Sequence, residues 1–493
     1  MAGARKSAKY LFIGGLFSRA ISFVGSILLA RILFPEDFGY LLIAMIVAGF
    51  IQIFGNMGFE TFYLQEKINS KEHETKILNI TFKLRLLVNG ILFLLQIGVS
   101  FLAEKYYNNP IIGDMIRISS ISILIMAFSQ INLYILRKQL NYKPEVYANI
   151  GRDVIGTIFK VLFALIGFGA LSFVIGGVIG NIVRFFILNK YQKFKPVWKL
   201  WDTEIFEKIF YFGKHSFIGG IGMFFTQQID KILLTTYFPL GVAGNYYFSN
   251  SQAQSIFASL VFPQASLVLS YSAKYKHDST HLFSVLSKIG YVSGIVMVPT
   301  MIYLVMYAES IFFFVFGAKW SDSIIMFQIF ALYYLATELT FPFSGILTAY
   351  GLPNIVSKLV LIRFVVLSVG LILTVYLTSN IYLYLMVYTG INFIFSWLKA
   401  YISINEMGRS LWEYTAQLKN LVILSLNYLF IIVLVNIYVD QLVWQLIISF
   451  LLIVIISLIF HLSVYKIQFI ECLELVLKPD HRILKRIKYY VHR

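Results

Sequence analysis

KYLFIGGLFSRAISFVGSILLARILFPEDFG, residues 9–39, decides the fold class. Between Tyr10 and Leu33 its only charged residues are Arg19 and Arg31, and it holds no acid. A helix rises about 1.5 Å per residue, so roughly 20 apolar residues cross about 30 Å of hydrocarbon. The run is long enough to span a bilayer and too long for the apolar core of a cleaved leader. It reads as a first membrane helix, retained, with Arg5, Lys6 and Lys9 before it on the inner side.

The rest of the chain continues this pattern. Of 493 residues, 59% are hydrophobic and 13% charged, with a mean hydropathy of +0.77. A soluble domain carries about 25% charged residues, so this composition excludes one. Breaking the apolar runs at Pro, Gly and charge clusters gives about fourteen spans. They fall near 10–33, 39–62, 77–103, 112–136, 146–167, 169–190, 209–237, 241–265, 284–308, 322–348, 354–378, 380–402, 418–438 and 441–465. Most of the 41 basic residues then fall in alternate loops, as the positive-inside rule requires of a correct count with both termini cytoplasmic. The net charge of +17 therefore reads as orientation and anionic-lipid contact, not as a nucleic-acid surface. Two Lys-bearing, partly apolar stretches, 196–210 with Trp198 and Trp201 and the tail from Lys466, read as lying on the inner membrane surface.

An internal repeat organises the spans. KYLFIGG at 9–15 matches KHSFIGG at 214–220, and FPEDFG at 34–39 matches FPLGVAG at 238–244. Six spans separate the copies, so both halves have the same orientation, as in transporters with two parallel lobes. The expected fold is all-α: a polytopic membrane helical bundle of two pseudo-symmetric six-helix lobes plus two C-terminal helices. The expected divisions are an N-terminal lobe at 1–190, a cytoplasmic linker at 191–211, a second lobe at 212–403, two further spans at 404–465 and a basic amphipathic tail at 466–493.

Charges inside spans carry the functional reading, because charge in hydrocarbon is costly and usually faces a cavity or partner. Arg19 lies deep in the first span, Lys160 near the middle of the fifth, and Arg152 and Asp153 closer to its inner end. Arg31 and Arg184 sit near span ends, where snorkelling is the plainer reading. Arg152 and Asp153 read equally well as a local pair, and Glu60 is ambiguous. Asp230 and Lys231 occupy the outer part of the seventh span, and adjacent residues on a helix point about 100° apart. They are not expected to face one another. Glu338 lies well inside the tenth span, four residues before Pro342. Pro263, Pro299 and Pro342, within or at the ends of spans, remove backbone hydrogen bonds and permit bends, which makes them candidate hinges, Pro299 and Pro342 foremost. The first six spans thus bury more cations than acids, which favours an anionic ligand such as a pyrophosphate.

The single cysteine, Cys472, forms no internal disulfide, and there is no Cys-based or His-clustered metal site in the sequence pattern. No nucleotide-binding loop or nucleophile elbow occurs, and no outer loop has room for a catalytic domain. The expectation is a transporter with no catalytic residues and no cofactor.

ARILFPEDFGY from Ala30 and GFETFYLQEK at 58–67 resemble the opening of Wzx-type O-antigen and polysaccharide flippases. That superfamily also holds the multidrug MATE exporters and the lipid II flippase MurJ. The resemblance continues through LRKQLNYK at 136–143, GFGALSFVIGGVIGN at 167–181, QQIDKILLTTYF at 227–238, FGAKW at 316–320 and AYGLPNIVSK at 349–358. It implies alternating access by a bacterial inner-membrane protein. The implied substrate is a polyprenyl-pyrophosphate (undecaprenyl-type) oligosaccharide for surface polysaccharide, with membrane lipids and a polysaccharide polymerase or assembly proteins as partners. It places the cavity cations at Arg19, Arg31, Lys160 and Arg152. It gives Asp230 a role in ion coupling or lobe pairing, with H+, Na+ or the membrane potential as the drive; Lys231 departs from the family pattern, and Lys231 and Glu338 are further candidates for the same role as charges inside spans. Two other classes fit less well. A MATE-like multidrug antiporter would want acidic residues in the first span, and a polymerase or glycosyltransferase would need a large outer loop.

Overall fold

The computed structural model describes residues 2–55 and 57–463. Within them, the side chains of residues 2–9, 11–12, 215–216, 218–219, 260–267, 269–270, 273–274, 458 and 461–463 are not described. The expected basic tail at 466–493 lies outside the described residues. Among those residues the regular structure is entirely helical: α1 Ala2–Ile32, α2 Pro35–Gly55, α3 Phe59–Gln65, α4 Lys71–Tyr107, α5 Pro110–Lys138, α6 Lys143–Leu165, α7 Leu171–Tyr191, α8 Thr203–Tyr237 and α9 Leu240–Lys274. There follow α10 Ser279–Met306, α11 Ala308–Ile311, α12 Ser323–Glu338, α13 Ile346–Ala349, α14 Pro353–Thr378, α15 Ile381–Glu406, α16 Leu411–Tyr438 and α17 Leu442–Ser463.

Each apolar run of the sequence falls on one of these helices or on a broken pair. Among the described residues, nine stretches have the length and hydropathy to cross a membrane, and a tenth is formed by α12 with the segment Phe341–Ala349, bent by 50°. Two of the remaining long helices are interrupted by polar groups: Arg152, Asp153 and Lys160 in α6, and Gln227, Gln228, Asp230 and Lys231 in α8. In a membrane protein such interruptions mark a face turned toward protein or a water-filled cavity.

The two candidate hinge prolines differ. Pro299 sits inside α10, which continues unbroken across it. Pro342 lies in a 3-10 turn, Phe341–Phe343, where the tenth span bends. In a helix the ring would clash with the carbonyl four residues earlier, that of Glu338, and the missing N–H removes its bond, so α12 stops at Glu338. Helix starts follow local chemistry. Ser70, Asn109, Asp202, Asp278 and Asn380 each accept a backbone N–H of the first turn, and Ser410 forms a capping box with Glu413.

By packing the chain divides into two units between Phe248 and Ser249. In the first unit the expected linker is strapped across α4. Lys83 Nζ donates to the carbonyls of Trp198 (2.5 Å) and Leu200 (2.7 Å), and Asn79 Oδ1 accepts from Val197 N at 2.5 Å. The two FP…G motifs of the repeat also meet here. A Cβ on Gly39 would strike the Leu240 carbonyl, and one on Gly244 would strike the Pro35 carbonyl, while the Phe38 and Phe248 rings lie 5.4 Å apart.

Helices α6 and α7 approach through glycine. A Cβ on Gly176 would sit 2.7 Å from both the Gly156 carbonyl and the Lys160 backbone N, and one on Gly180 would sit 2.8 Å from the Arg152 carbonyl. Small residues let membrane helices close to backbone contact. This contact sets where Arg152 and Lys160 stand. Gly176→Leu should therefore cost about 1–3 kcal/mol through overpacking, read as a lower unfolding midpoint of the solubilised protein. Gly177→Ala, whose added Cβ meets nothing within 4 Å, should leave the midpoint unchanged.

The second unit is centred on α10, α16 and the broken tenth span. Tyr414 donates to the Leu339 carbonyl at the break, and Phe343 packs edge-on to the Tyr414 ring at 4.8 Å. Tyr307 reaches Asn436 (2.8 Å) and Ser449 (2.7 Å), which ties α16 and α17 to α10.

Candidate functional site

The first unit encloses a cavity of about 560 Å³ walled by α2, α3, α4, α5, α7 and α8. That volume lies in the range of about 300–1,000 Å³ usual for ligand sites. Regular spacing builds the walls. Arg85, Asn89 and Leu92 recur at four and three residues on α4, and Met126, Gln130, Tyr134 and Arg137 recur likewise on α5. Gln52 and Gln227 contribute amides from α2 and α8, and Met223 and Phe224 supply an apolar patch.

Three guanidinium groups, Arg85, Arg137 and Arg184, face this space against one carboxylate, Glu60. Arg137 is held by two acids: Glu60 at 2.5 Å and Glu145 at 2.5 Å and 3.0 Å. It is thereby neutralised and fixed. Arg85 is buried, donates to Tyr134 Oη at 2.6 Å and stands 5.7 Å from the Phe59 ring centroid, while its Nε has no partner. Arg184 donates to Asn149 Oδ1 at 3.1 Å. Neither Arg85 nor Arg184 has an acidic partner among the described residues. The cavity therefore offers two uncompensated cations, with amides and aromatic faces around them. That set suits a ligand carrying anionic charge on a polar, hydroxyl-rich body.

The residues singled out from sequence fall elsewhere. Arg152 and Lys160 line a second polar pocket of about 310 Å³ between α1, α6 and α7, with Ser22, Thr157 and Asn181. Arg152 pairs with Asp153 at 2.8 Å, so the local-pair reading describes it, and no hydrogen bond or ion pair reaches the Lys160 amine among the described residues. An apolar groove of about 530 Å³ along α1 and α6 adjoins this pocket at Thr157. Arg19 and Arg31 line neither cavity, and Arg31 is exposed in the last turn of α1, where snorkelling and the helix dipole both suit it.

Asp230 is buried and accepts from Tyr246 Oη at 2.8 Å, linking α8 to α9. Contrary to the expectation from helix geometry, Lys231 does reach it, with Nζ 3.4 Å from Oδ1. The long lysine stem folds back along the helix, where Nζ also donates to the Gln227 carbonyl at 3.0 Å. Glu338 is fully buried in the second unit at the end of α12 and lines none of these cavities.

The comparisons with known proteins bear on this arrangement. The family described as "Polysaccharide biosynthesis protein" matches residues 28–325, which hold every wall of the large cavity. The chain belongs to that family. The succinoglycan biosynthesis transport protein ExoT of Rhizobium meliloti (strain 1021) is 23% identical over 306 residues, 61% of this chain and 60% of that protein. The lipopolysaccharide biosynthesis protein WzxC of Escherichia coli (strain K12) is 21% identical over 351 residues, 69% of each chain. The chain thus spans about three fifths of the length of the succinoglycan protein. Among solved structures, the lipid II flippase MurJ in an inward closed conformation superposes with a TM-score of 0.72 at 19% identity, over 92% of this chain and 99% of that one. An inward-facing multidrug MATE transporter gives 0.63 at 13% identity, over 82% and 96%. The fold is shared with both, and the chain is a multi-pass inner-membrane protein.

Proposed function

We propose that this protein is a flippase, which carries a polyprenyl-pyrophosphate-linked oligosaccharide from the cytoplasmic to the outer leaflet by alternating access. The observation that carries the reading is the pair of guanidiniums without an acidic ion-pair partner, Arg85 and Arg184, in a cavity whose wall also carries four side-chain amides. Pyrophosphate is an anion that guanidinium binds through paired N–H donors, and sugar hydroxyls match Gln52, Asn89, Gln130 and Gln227. Relatives named as a succinoglycan transport protein and a lipopolysaccharide biosynthesis protein support the saccharide.

In this reading the head group enters from the cytoplasmic side, its pyrophosphate drawn to Arg85 and Arg184, while the polyprenyl tail stays in lipid. No bond is made or broken and no resident cofactor takes part. The membrane potential or an H+ or Na+ gradient biases the cycle, with the Asp230–Lys231–Tyr246 cluster and Glu338 as the ionisable groups inside helices that respond to it. The product passes to a polysaccharide polymerase and assembly proteins. A multidrug antiporter on the same fold would need acids to hold an organic cation, and the cavity's one carboxylate is spent on Arg137.

The reading is tested in cells that make the surface polysaccharide. Depleting the protein should raise the pool of lipid-linked oligosaccharide accessible only from the cytoplasm and lower surface polysaccharide together. Unchanged leaflet distribution with intact polysaccharide would overturn it.

A further inference from the structure

The second unit holds its own polar cavity, of about 310 Å³, between the broken tenth span, α14 and α15. Arg363 of α14 and Lys399 of α15 both face it, and among the described residues no carboxylate lines it. On α15, Asn392, Ser396 and Lys399 recur at four and three residues and so share a face. The break after Glu338 brings Thr340 to that face, where its hydroxyl meets Ser396 Oγ at 2.5 Å. Arg363 spends one N–H on Asn392 Oδ1 at 3.3 Å. Its Nε is buried with no partner, and no hydrogen bond or ion pair reaches Lys399 Nζ among the described residues. Two like charges half-buried around one cavity repel each other and leave donors unsatisfied, an arrangement that an anion would relieve.

We infer that this cavity is a phosphate-binding site, which takes a phosphate or pyrophosphate group on Arg363 and Lys399. Hydroxyls from Thr340, Ser344 and Ser396 line the same end, with the Thr340 proton directed at the Thr337 carbonyl at 2.9 Å, so Thr340 and Ser396 would re-orient to donate to an anion. Val356, Leu359 and Val360 wall the remainder, so the same site accommodates the first carbons of an ester-linked apolar chain. The anion can come free from solution or as the head of a lipid, and the chemistry that holds it is the same. Every residue of the site belongs to the second unit, so binding there does not depend on the large cavity being a transport site.

The test uses the purified full chain in a zwitterionic lipid nanodisc, with Arg85→Gln and Arg184→Gln introduced to remove the cations of the first cavity. Inorganic pyrophosphate and geranylgeranyl diphosphate are titrated by calorimetry. Saturable binding of at least one is expected. Arg363→Gln or Lys399→Gln should weaken it about tenfold or more. Asn392→Asp, which supplies an internal counter-ion beside Arg363 without removing any cation, should weaken it similarly and guards against a misfolded variant. Tighter binding of the prenyl compound assigns the site to a lipid phosphate, and equal affinities assign it to a free anion. No binding of either probe, or binding indifferent to all three substitutions, would overturn the inference.

Discussion

Arg85→Gln combined with Arg184→Gln is expected to weaken binding of a polyprenyl-pyrophosphate sugar about a hundredfold while leaving the protein folded. A hydrogen bond to a charged group contributes about 1.5–3 kcal/mol, and about 1.4 kcal/mol is tenfold in affinity. Each guanidinium should thus account for about tenfold or more. Stability should survive because neither group is paired with an acid whose charge would be stranded. Removing Arg85 even relieves a buried Nε without a partner. The measurement is ligand binding to each single and double variant, with the unfolding midpoint recorded in parallel. Equal affinity in wild type and double variant would show that the ligand's charge is held elsewhere.

Arg137→Ala should do the opposite: it should damage the fold first. Glu60 and Glu145 converge on this side chain from α3 and α6, with Glu145 nearly buried and Glu60 and Arg137 about one third exposed. Stripping one partner from a buried ion pair costs about 3–5 kcal/mol, and partial exposure trims this to about 2–3 kcal/mol. Adding Glu60→Gln and Glu145→Gln to Arg137→Ala should restore most of the lost midpoint, because no carboxylate is then left uncompensated. If the triple variant melts as low as the single one, Arg137 stabilises by packing and not by neutralising the two acids. The contrast separates a structural arginine from two ligand-facing ones in the same wall.

The helical membrane fold was legible because apolar length alone specifies a span, and lipid admits few alternatives to the helix. The break in the tenth span was legible too, since Pro342 carries its own mechanism. The cavity was much less so. Arg85 falls inside the third apolar run, 77–103, but follows the basic cluster Lys71–Lys76–Lys83 closely enough to count with it as inner-side charge. Yet α4 begins at Lys71 and carries Arg85 about 21 Å along its axis, into the bundle. The available signal was the polar recurrence Arg85, Asn89, Gln96 within an apolar helix, all buried. Arg184 lies near the end of its span, where snorkelling is the plainer expectation, but it donates to Asn149 and lines the cavity wall. Which of several buried cations share a space depends on helix rotation, and a linear sequence does not carry that. Arg152 and Lys160 illustrate the point. They share one helix, α6, but the glycine contact with α7 turns them into a smaller pocket of their own. The Asp230–Lys231 pair shows a further limit: backbone direction constrains Cβ, whereas a four-carbon lysine stem bends back past it.

The central claim is that the protein moves an anionic lipid-linked saccharide between leaflets. Its most direct test is reconstitution of the purified chain into liposomes carrying a fluorescent polyprenyl-pyrophosphate sugar, with a membrane-impermeant quencher outside. A flippase should raise the fraction of label that exchanges into the quenched leaflet, and the Arg85→Gln/Arg184→Gln protein should reduce the exchange rate at least about tenfold. Exchange no faster than in protein-free liposomes, with and without an imposed ion gradient or membrane potential, would contradict it.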